Sequence, residues 1–178
     1  MKKDVLNYSY KSTPIGEVVI IDSKEGICAL EFIDRERKHT VAQLQQGLQC
    51  KELSCEQTSE IKRAEEYLDK LFSDKHPTQA DLPRLSLQGT PFQIRVWEEL
   101  RKLHSEEIVS YSEIARRIGH PKAVRAVANA IGANPISIFI PCHRVIRSDG
   151  SLGGYRWGAD KKLILLTTEY NQLKLNHQ

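Results

Sequence analysis

A chain of 178 residues, 40% hydrophobic and 7% aromatic, buries one good core or two small ones, which limits it to two compact units and excludes a disordered or low-complexity protein. Its formal net charge of +3 permits a polyanionic partner without demanding one. No run approaches the roughly 18 apolar residues of a membrane span, and the N-terminal MKKDVLNYSYKS has no apolar stretch behind its lysines, so an intracellular, soluble chain without a membrane partner is expected.

From Leu6 to Phe32 the pattern is strand-like: LNYSYKS, a turn at Thr13-Pro14-Ile15-Gly16, EVVIIDS, a turn at Lys24-Glu25-Gly26, then ICALEF. An antiparallel three-stranded meander is predicted. Between Arg35 and Lys75 apolar residues recur at helical spacing, with Ile61, Ala64, Leu68 and Leu71 on one face of a helix. The polar, proline-bearing segment Ser73 to Arg84 reads as a linker. After LSLQGT, Thr90 caps a helix with Pro91 at its first position and Gln93 completing a capping box, and the helix runs to about Leu103. Ser110-Tyr111-Ser112-Glu113 is a second capping box, opening a short helix that stops at Gly119. With KAVRAVANAIGA after Pro121 this outlines a helix-turn-helix. Ala159 to Leu173 reads as a closing helix.

Four cysteines, Cys28, Cys50, Cys55 and Cys142, form no C-x-x-C pair and no Cys/His cluster of zinc spacing, so no metal is expected and the thiols are free. The informative stretch is IFIPCHRVIRSDGSLGGYRWG, Ile138 to Gly158. In it Cys142 follows an apolar run, predicted to be a strand, and precedes a glycine-rich turn that exposes the thiol. A cysteine attacks only as thiolate, which calls for a base or a positive field, and His143 and Arg144 are at hand for both. A buried structural cysteine is an equally open reading of these residues alone.

The run Pro141-Cys142-His143-Arg144-Val145-Ile146 resembles the active-site signature of the O6-alkylguanine-DNA alkyltransferases. GTPFQIRVW, SYSEIARRIGHPKAVRAVANAIGANP, GSLGGY and KKLILLTTE extend the resemblance in order and spacing from Gly89 to Glu169. TPIGEVVIIDSKEGICALEF resembles the family's N-terminal, ribonuclease-H-like domain. The resemblance implies an α+β chain: residues 1–80 as a small antiparallel sheet with helices, and residues 85–178 as a mostly helical DNA-binding and alkyl-acceptor domain with the helix-turn-helix.

The same resemblance implies that Cys142 accepts the alkyl group from O6 of guanine, irreversibly and without a cofactor. Its proton leaves through a water to His143 and on to Glu169. Tyr111 donates a proton to the departing base, and the main-chain carbonyls of Cys142 and Val145 read the exocyclic amine of guanine. Asn134 is structural, tying the active-site turns together. Arg125 fills the gap left by a base rotated out of the duplex. Ala123, Ala126 and Ala128 suit close approach to the minor groove, and Ser110 and Lys122 contact phosphate.

Tyr155, Arg156 and Trp157 belong to the substrate pocket. Arg156-Trp157 stands where many members carry two small residues, so Trp157 is expected to narrow the pocket in favour of methyl over benzyl. Read bottom-up, Glu169 is a solvated helix charge, Tyr111 a half-buried core residue and Arg125 one more exposed arginine. The resemblance further implies double-stranded DNA as partner, bound through the minor groove with little sequence preference. It implies a monomer with cooperativity left open, and a cytoplasmic location, or nuclear in a eukaryote. O4-alkylthymine stays open as a second substrate.

Three rivals weigh less. A noncatalytic lesion-recognition protein lacks the acceptor cysteine that Cys142 supplies. A transcription regulator needs base-reading polar side chains, where KAVRAVANAIGA is small and apolar. A thiol hydrolase needs an oxyanion hole that nothing in the sequence recommends.

Overall fold

The computed structural model describes residues 5–33, 36–50 and 52–176. The chain divides into two compact units, Met1–Leu87 and Gln88–Gln178, giving a mixed α+β protein.

The first unit is built on the meander β1 (Val5–Thr13), β2 (Gly16–Ser23) and β3 (Gly26–Phe32). Its antiparallel pairs run Thr13↔Gly16 to Asn7↔Asp22 and Val18↔Phe32 to Ser23↔Gly26, with a bulge at Ile21/Asp22. Helix α1 (Arg37–Gly47) leads to β4 (Glu52–Ser54) and then to α2 (Ser59–Leu71). Strand β4 pairs parallel with β1, so the sheet order is β3-β2-β1-β4. The helical periodicity read from Arg35 to Lys75 is therefore two helices interrupted by a strand too short to show its own alternation.

Both sheet faces are covered, which is why β2 and β3 read as nearly continuous apolar runs. Val19, Ile21, Ala29 and Leu6 form one cluster with Leu44 of α1. On the other face α2 packs against β1, β2 and β3, burying Ile61, Ala64, Leu68 and Leu71. Ser9 and Lys11 of β1 bond Glu65 and Asp69 of that helix at 2.8 Å each.

The segment Ser73 to Arg84 is no free linker. It holds a 3-10 turn, Gln79–Asp81, tied back by Lys70 to Asp81 and by Arg63 to the carbonyls of Ala80 and Leu82. Beyond it, Ile27 N donates to Arg84 O and Ser86 N to Ile27 O, both at 2.8 Å.

In the second unit α3 (Pro91–Arg101) has the anticipated capping box, with Thr90 Oγ1 accepting from Gln93 N and Gln93 Oε1 accepting from Thr90 N. It packs against α4 (Tyr111–Arg117) and α5 (Val124–Gly132). Trp97 Nε1 donates to Ala130 O at 2.8 Å, locking α3 to α5. Ser110 caps α4, and Gly119 at φ 78° turns the chain between α4 and α5, which makes a helix-turn-helix. A short parallel pair, β5 (Val109–Ser110) with β6 (Val145–Ile146), lays the start of α4 beside the segment after Cys142. Helix α6 (Ala159–Asn176) closes the chain. Among the described residues no helix is long and apolar enough to cross a membrane.

Candidate active site

The apolar run before Cys142 is not the predicted strand. Residues 136–140 form compact turns, with Phe139 N donating to Ser137 O and Ile140 N to Ile136 O, and Ile138 sits at φ 69°. A β-branched residue in the left-handed region costs on the order of 1–3 kcal/mol and persists only where its surroundings hold it; Ile138 is buried. A short buried apolar run does not distinguish strand from turn by periodicity.

Nor is the thiol displayed at the surface. Cys142 begins a 3-10 turn, Cys142–Arg144, and is 4% exposed. Asn134, also buried, holds it from behind: its Nδ2 donates to Ile140 O at 3.0 Å and to Cys142 Sγ at 3.1 Å, while its Oδ1 accepts from Ile136 N at 3.0 Å. Asn134 thus ties the turns together and also touches the sulfur. Burial pushes the thiol up to about 11, against the Asn134 hydrogen bond and the charge of Lys162, which pull it down. At neutral pH the neutral thiol is therefore the favoured form.

His143 and Arg144, expected to supply a base and a positive field to Cys142, both bond Glu169 instead. His143 Nε2 lies 2.9 Å from Glu169 Oε1, Arg144 Nε donates to Oε2 at 2.9 Å, and Arg144 Nη2 donates to Oε1 at 2.8 Å. Arg144 Nη1 also reaches Leu103 O. Glu169 is therefore a buried carboxylate rather than a solvated helix charge. Burial works to raise its carboxyl, but the charge of and hydrogen bond from His143, joined by those of Arg144, outweigh it and hold it at about 2. His143 Nδ1 is buried with no hydrogen-bond partner among the described residues.

A cavity of about 540 Å³ opens over the sulfur. Of the residues picked from the sequence, Tyr111, Arg125, Ala128, Tyr155, Arg156 and Trp157 line it together with Cys142. Tyr111 Oη donates to Gly154 O at 3.4 Å, and burial, then the neighbouring Cys142, raise its phenol. Tyr155 shares a 2.9 Å hydrogen bond with Ser137 Oγ, and burial raises its phenol strongly. The Tyr155 and Trp157 rings meet edge to face at 5.3 Å, with the Arg156 guanidinium 5.4 Å from the Trp157 ring centre.

Ser110, Lys122, Ala123, Ala126, Asn134 and Val145 are not among the lining residues. Ser110 and Ala123 are the caps of α4 and α5, Lys122 and Ala126 are exposed, and Val145 is buried in β6.

Two features escaped the sequence. Arg147 lines the same cavity. Lys162, near the start of α6, is fully buried and donates to the carbonyls of Val145, Leu152 and Gly154. Asp160, Lys161 and Lys162 are all charged, and nothing local marks Lys162 as the one turned inward.

The family described as 6-O-methylguanine DNA methyltransferase, DNA binding domain, matches residues 91–171. The bifunctional transcriptional activator/DNA repair enzyme Ada of Escherichia coli is 38% identical over 92% of this chain, which spans 45% of that relative's length. A methylated-DNA-protein-cysteine methyltransferase of Haemophilus influenzae is 35% identical over 164 residues, covering 92% of this chain and 86% of the relative. A crystal structure of Mycobacterium tuberculosis OGT in complex with DNA superposes with a TM-score of 0.78 at 32% identity, over 93% of this chain and 94% of that one. Relatives of 35% to 38% identity are covered over 85% to 99% of their own length, and the chain belongs to the methylated-DNA-protein-cysteine methyltransferase family.

Proposed function

We propose that this chain repairs alkylated DNA by direct reversal, moving one alkyl group, chiefly methyl, from O6 of guanine to Cys142 in a stoichiometric and irreversible step. The observation that carries the proposal is a buried thiol lining a cavity of about 540 Å³ and followed, in the same 3-10 turn, by His143, which pairs with the buried Glu169. In the reaction Cys142 Sγ attacks the alkyl carbon, the carbon–O6 bond breaks, and a thioether forms. The thiol proton passes through a water to the free Nδ1 of His143, whose other nitrogen faces Glu169. The guanine anion takes a proton from Tyr111, whose raised phenol keeps its proton until a strong base arrives. His143 then releases its proton to solvent and Tyr111 takes one back from solvent, so that net one proton moves from sulfur to guanine, and no cofactor takes part. O4-alkylthymine fits the same chemistry.

Double-stranded DNA is the partner in this proposal, bound in the minor groove by the helix-turn-helix without sequence preference. Arg125, exposed on α5 and facing the cavity, takes the place of the rotated base. Ala123, Ala126 and Ala128 allow the close approach, Ser110 and Lys122 meet phosphates, and the carbonyls of Cys142 and Val145 read the guanine amine. Residues 85–178 carry this chemistry and residues 1–80 act as the structural, ribonuclease-H-like domain. The protein acts as a monomer, in the cytoplasm or, in a eukaryote, the nucleus. Trp157, with Tyr155 against one edge and Arg156 beside it, limits adduct size.

Intact mass spectrometry after incubation with duplexes containing O6-methylguanine or O6-benzylguanine tests these points together. Wild type is expected to gain one methyl at Cys142, Cys142→Ser none, and Trp157→Gly to gain benzyl faster than wild type. Lesion binding without any mass gain in wild type favours a recognition protein instead. Equal wild-type rates on both adducts remove the size argument.

A further inference from the structure

The cavity beside Cys142 is lined by three guanidiniums, Arg125, Arg147 and Arg156, and by no carboxylate. A concave surface lined by charges of one sign focuses their field and draws in the opposite charge. Two of the three have an occupation: Arg156 lies 5.4 Å from the Trp157 ring centre, and Arg125 takes the place of the rotated base in the proposed reaction. Arg147 has neither role. It is exposed, and its guanidinium makes no hydrogen bond or ion pair with another described residue.

The backbone that carries Arg147 is held on both sides. Arg147 N donates to Ser151 O at 2.9 Å, and Gly150 N donates to Arg147 O at 3.0 Å. Asp149, the carboxylate of this turn, accepts from Ser151 N at 2.9 Å and from Ser151 Oγ at 2.7 Å rather than from Arg147. Gly150, at φ 83°, supplies the left-handed residue that closes the turn. Ser148 shares a 3.1 Å hydrogen bond with Ser112 near the start of α4, which ties the turn to the element bearing Tyr111. The stem of Arg147 lies beside that phenol. A Cβ on Gly153 would stand 3.1 Å from Tyr111 Oη and 3.4 Å from Arg147 Cγ, so both side chains rest against the same glycine.

Arg147 is thus fixed at its root and unpaired at its tip, on the side of the cavity where Tyr111 meets the departing base. An alkylated guanine is neutral until it reacts, so the anion that comes with it is the phosphate of its own backbone. A guanidinium matches a phosphate with two parallel N–H donors. We propose that Arg147 is a substrate-binding residue that grips a phosphate flanking the alkylated nucleotide and so holds that nucleotide at the cavity. The proposal rests on the alkyl-acceptor role of Cys142. The grip fixes the position of the base and not its identity, which leaves the recognition of guanine to the cavity itself.

The test is single-turnover methyl transfer by wild type, Arg147→Gln and Arg147→Lys from three duplexes. One carries O6-methylguanine between native phosphates; in the other two the phosphate on its 5′ side or on its 3′ side is a neutral methylphosphonate. On the native duplex below saturation, Arg147→Gln is expected to be slower than wild type by about tenfold, with Arg147→Lys recovering part of the loss. That loss is expected to vanish on one of the two methylphosphonate duplexes, where wild type is itself slow. The salt dependence of the rate should also weaken in Arg147→Gln, by about one phosphate contact. No loss on the native duplex overturns the proposal, as does an equal loss on all three. Wild type that transfers no methyl from the native duplex defeats the alkyl-acceptor role instead. The affinities of the same three duplexes, read by fluorescence anisotropy, then decide Arg147 by the same comparison.

Discussion

Glu169 sits between two partners that differ in kind. Arg144 is a guanidinium that offers donors only, whereas His143 is an imidazole whose two nitrogens can take donor or acceptor roles. The carboxylate serves both, at 2.8 and 2.9 Å. Removing its charge leaves the buried Arg144 guanidinium uncompensated, and breaking a buried pair on one side costs about 3–5 kcal/mol. Glu169→Gln, which keeps the shape and one acceptor oxygen, is expected to lose about 3 kcal/mol by urea unfolding at pH 7. Because the folded carboxyl is held at about 2, below its ordinary 4.5, its contribution is present above pH 4.5 and is lost as the pH falls toward 2. Melting temperature against pH should therefore drop more steeply through that window in wild type than in Glu169→Gln. Parallel curves would mean that Glu169 does not govern the acid limb.

At the scale of elements, the entry to α3 joins local sequence to unit-level packing. A Cβ on Gly89 would stand 2.6 and 2.7 Å from ring carbons of Trp97 and 3.0 Å from Gln93 Oε1. That ring is 2% exposed and pinned by its bond to Ala130 O, and the Gln93 oxygen belongs to the capping box. Neither gives way freely, so Gly89→Ala is expected to destabilise the protein by about 1–3 kcal/mol, read as a lower urea midpoint. An unchanged midpoint would mean that the start of α3 shifts without cost.

The Thr90–Gln93 capping box was legible in the sequence because its partners lie three residues apart; of the box read at Ser110 only the Ser110 cap forms, Glu113 turning its carboxylate to Arg116 and Arg117 instead. The apolar face of α2 was legible by period, and the meander by its apolar runs between turn residues. Illegible were features that depend on distant chain: Glu169 meets Arg144 and His143 across 25 and 26 residues, and Lys162 points inward only because the Leu152–Gly154 turn offers carbonyls. The turns at 136–140 were misread because Ile138 adopts a backbone state its residue type disfavours. Resemblance, not periodicity, located Glu169, Tyr111 and Arg125.

For the molecule as a whole, the proposed reaction ends in a modified protein, and its consequence for stability follows from the packing around Cys142. The sulfur is 4% exposed and accepts a 3.1 Å hydrogen bond from Asn134 Nδ2, the group that also holds Ile140 O. A methyl thioether is bulkier than a thiol and a poorer acceptor than a thiolate, so alkylation crowds the floor of the cavity and loosens Asn134, on which the turn bearing the strained Ile138 depends. Overpacking of this sort costs about 1–3 kcal/mol, which for a chain of 178 residues lowers the melting midpoint by roughly 2–4 °C per kcal/mol. The cavity above the sulfur gives a methyl group somewhere to go, which argues for the lower end of that range, while a longer alkyl chain in contact with Trp157 argues for more. Calorimetric melting of the free, methylated and benzylated protein is therefore expected to give midpoints falling in that order, and a midpoint raised by methylation would mean that the cavity is filled rather than strained.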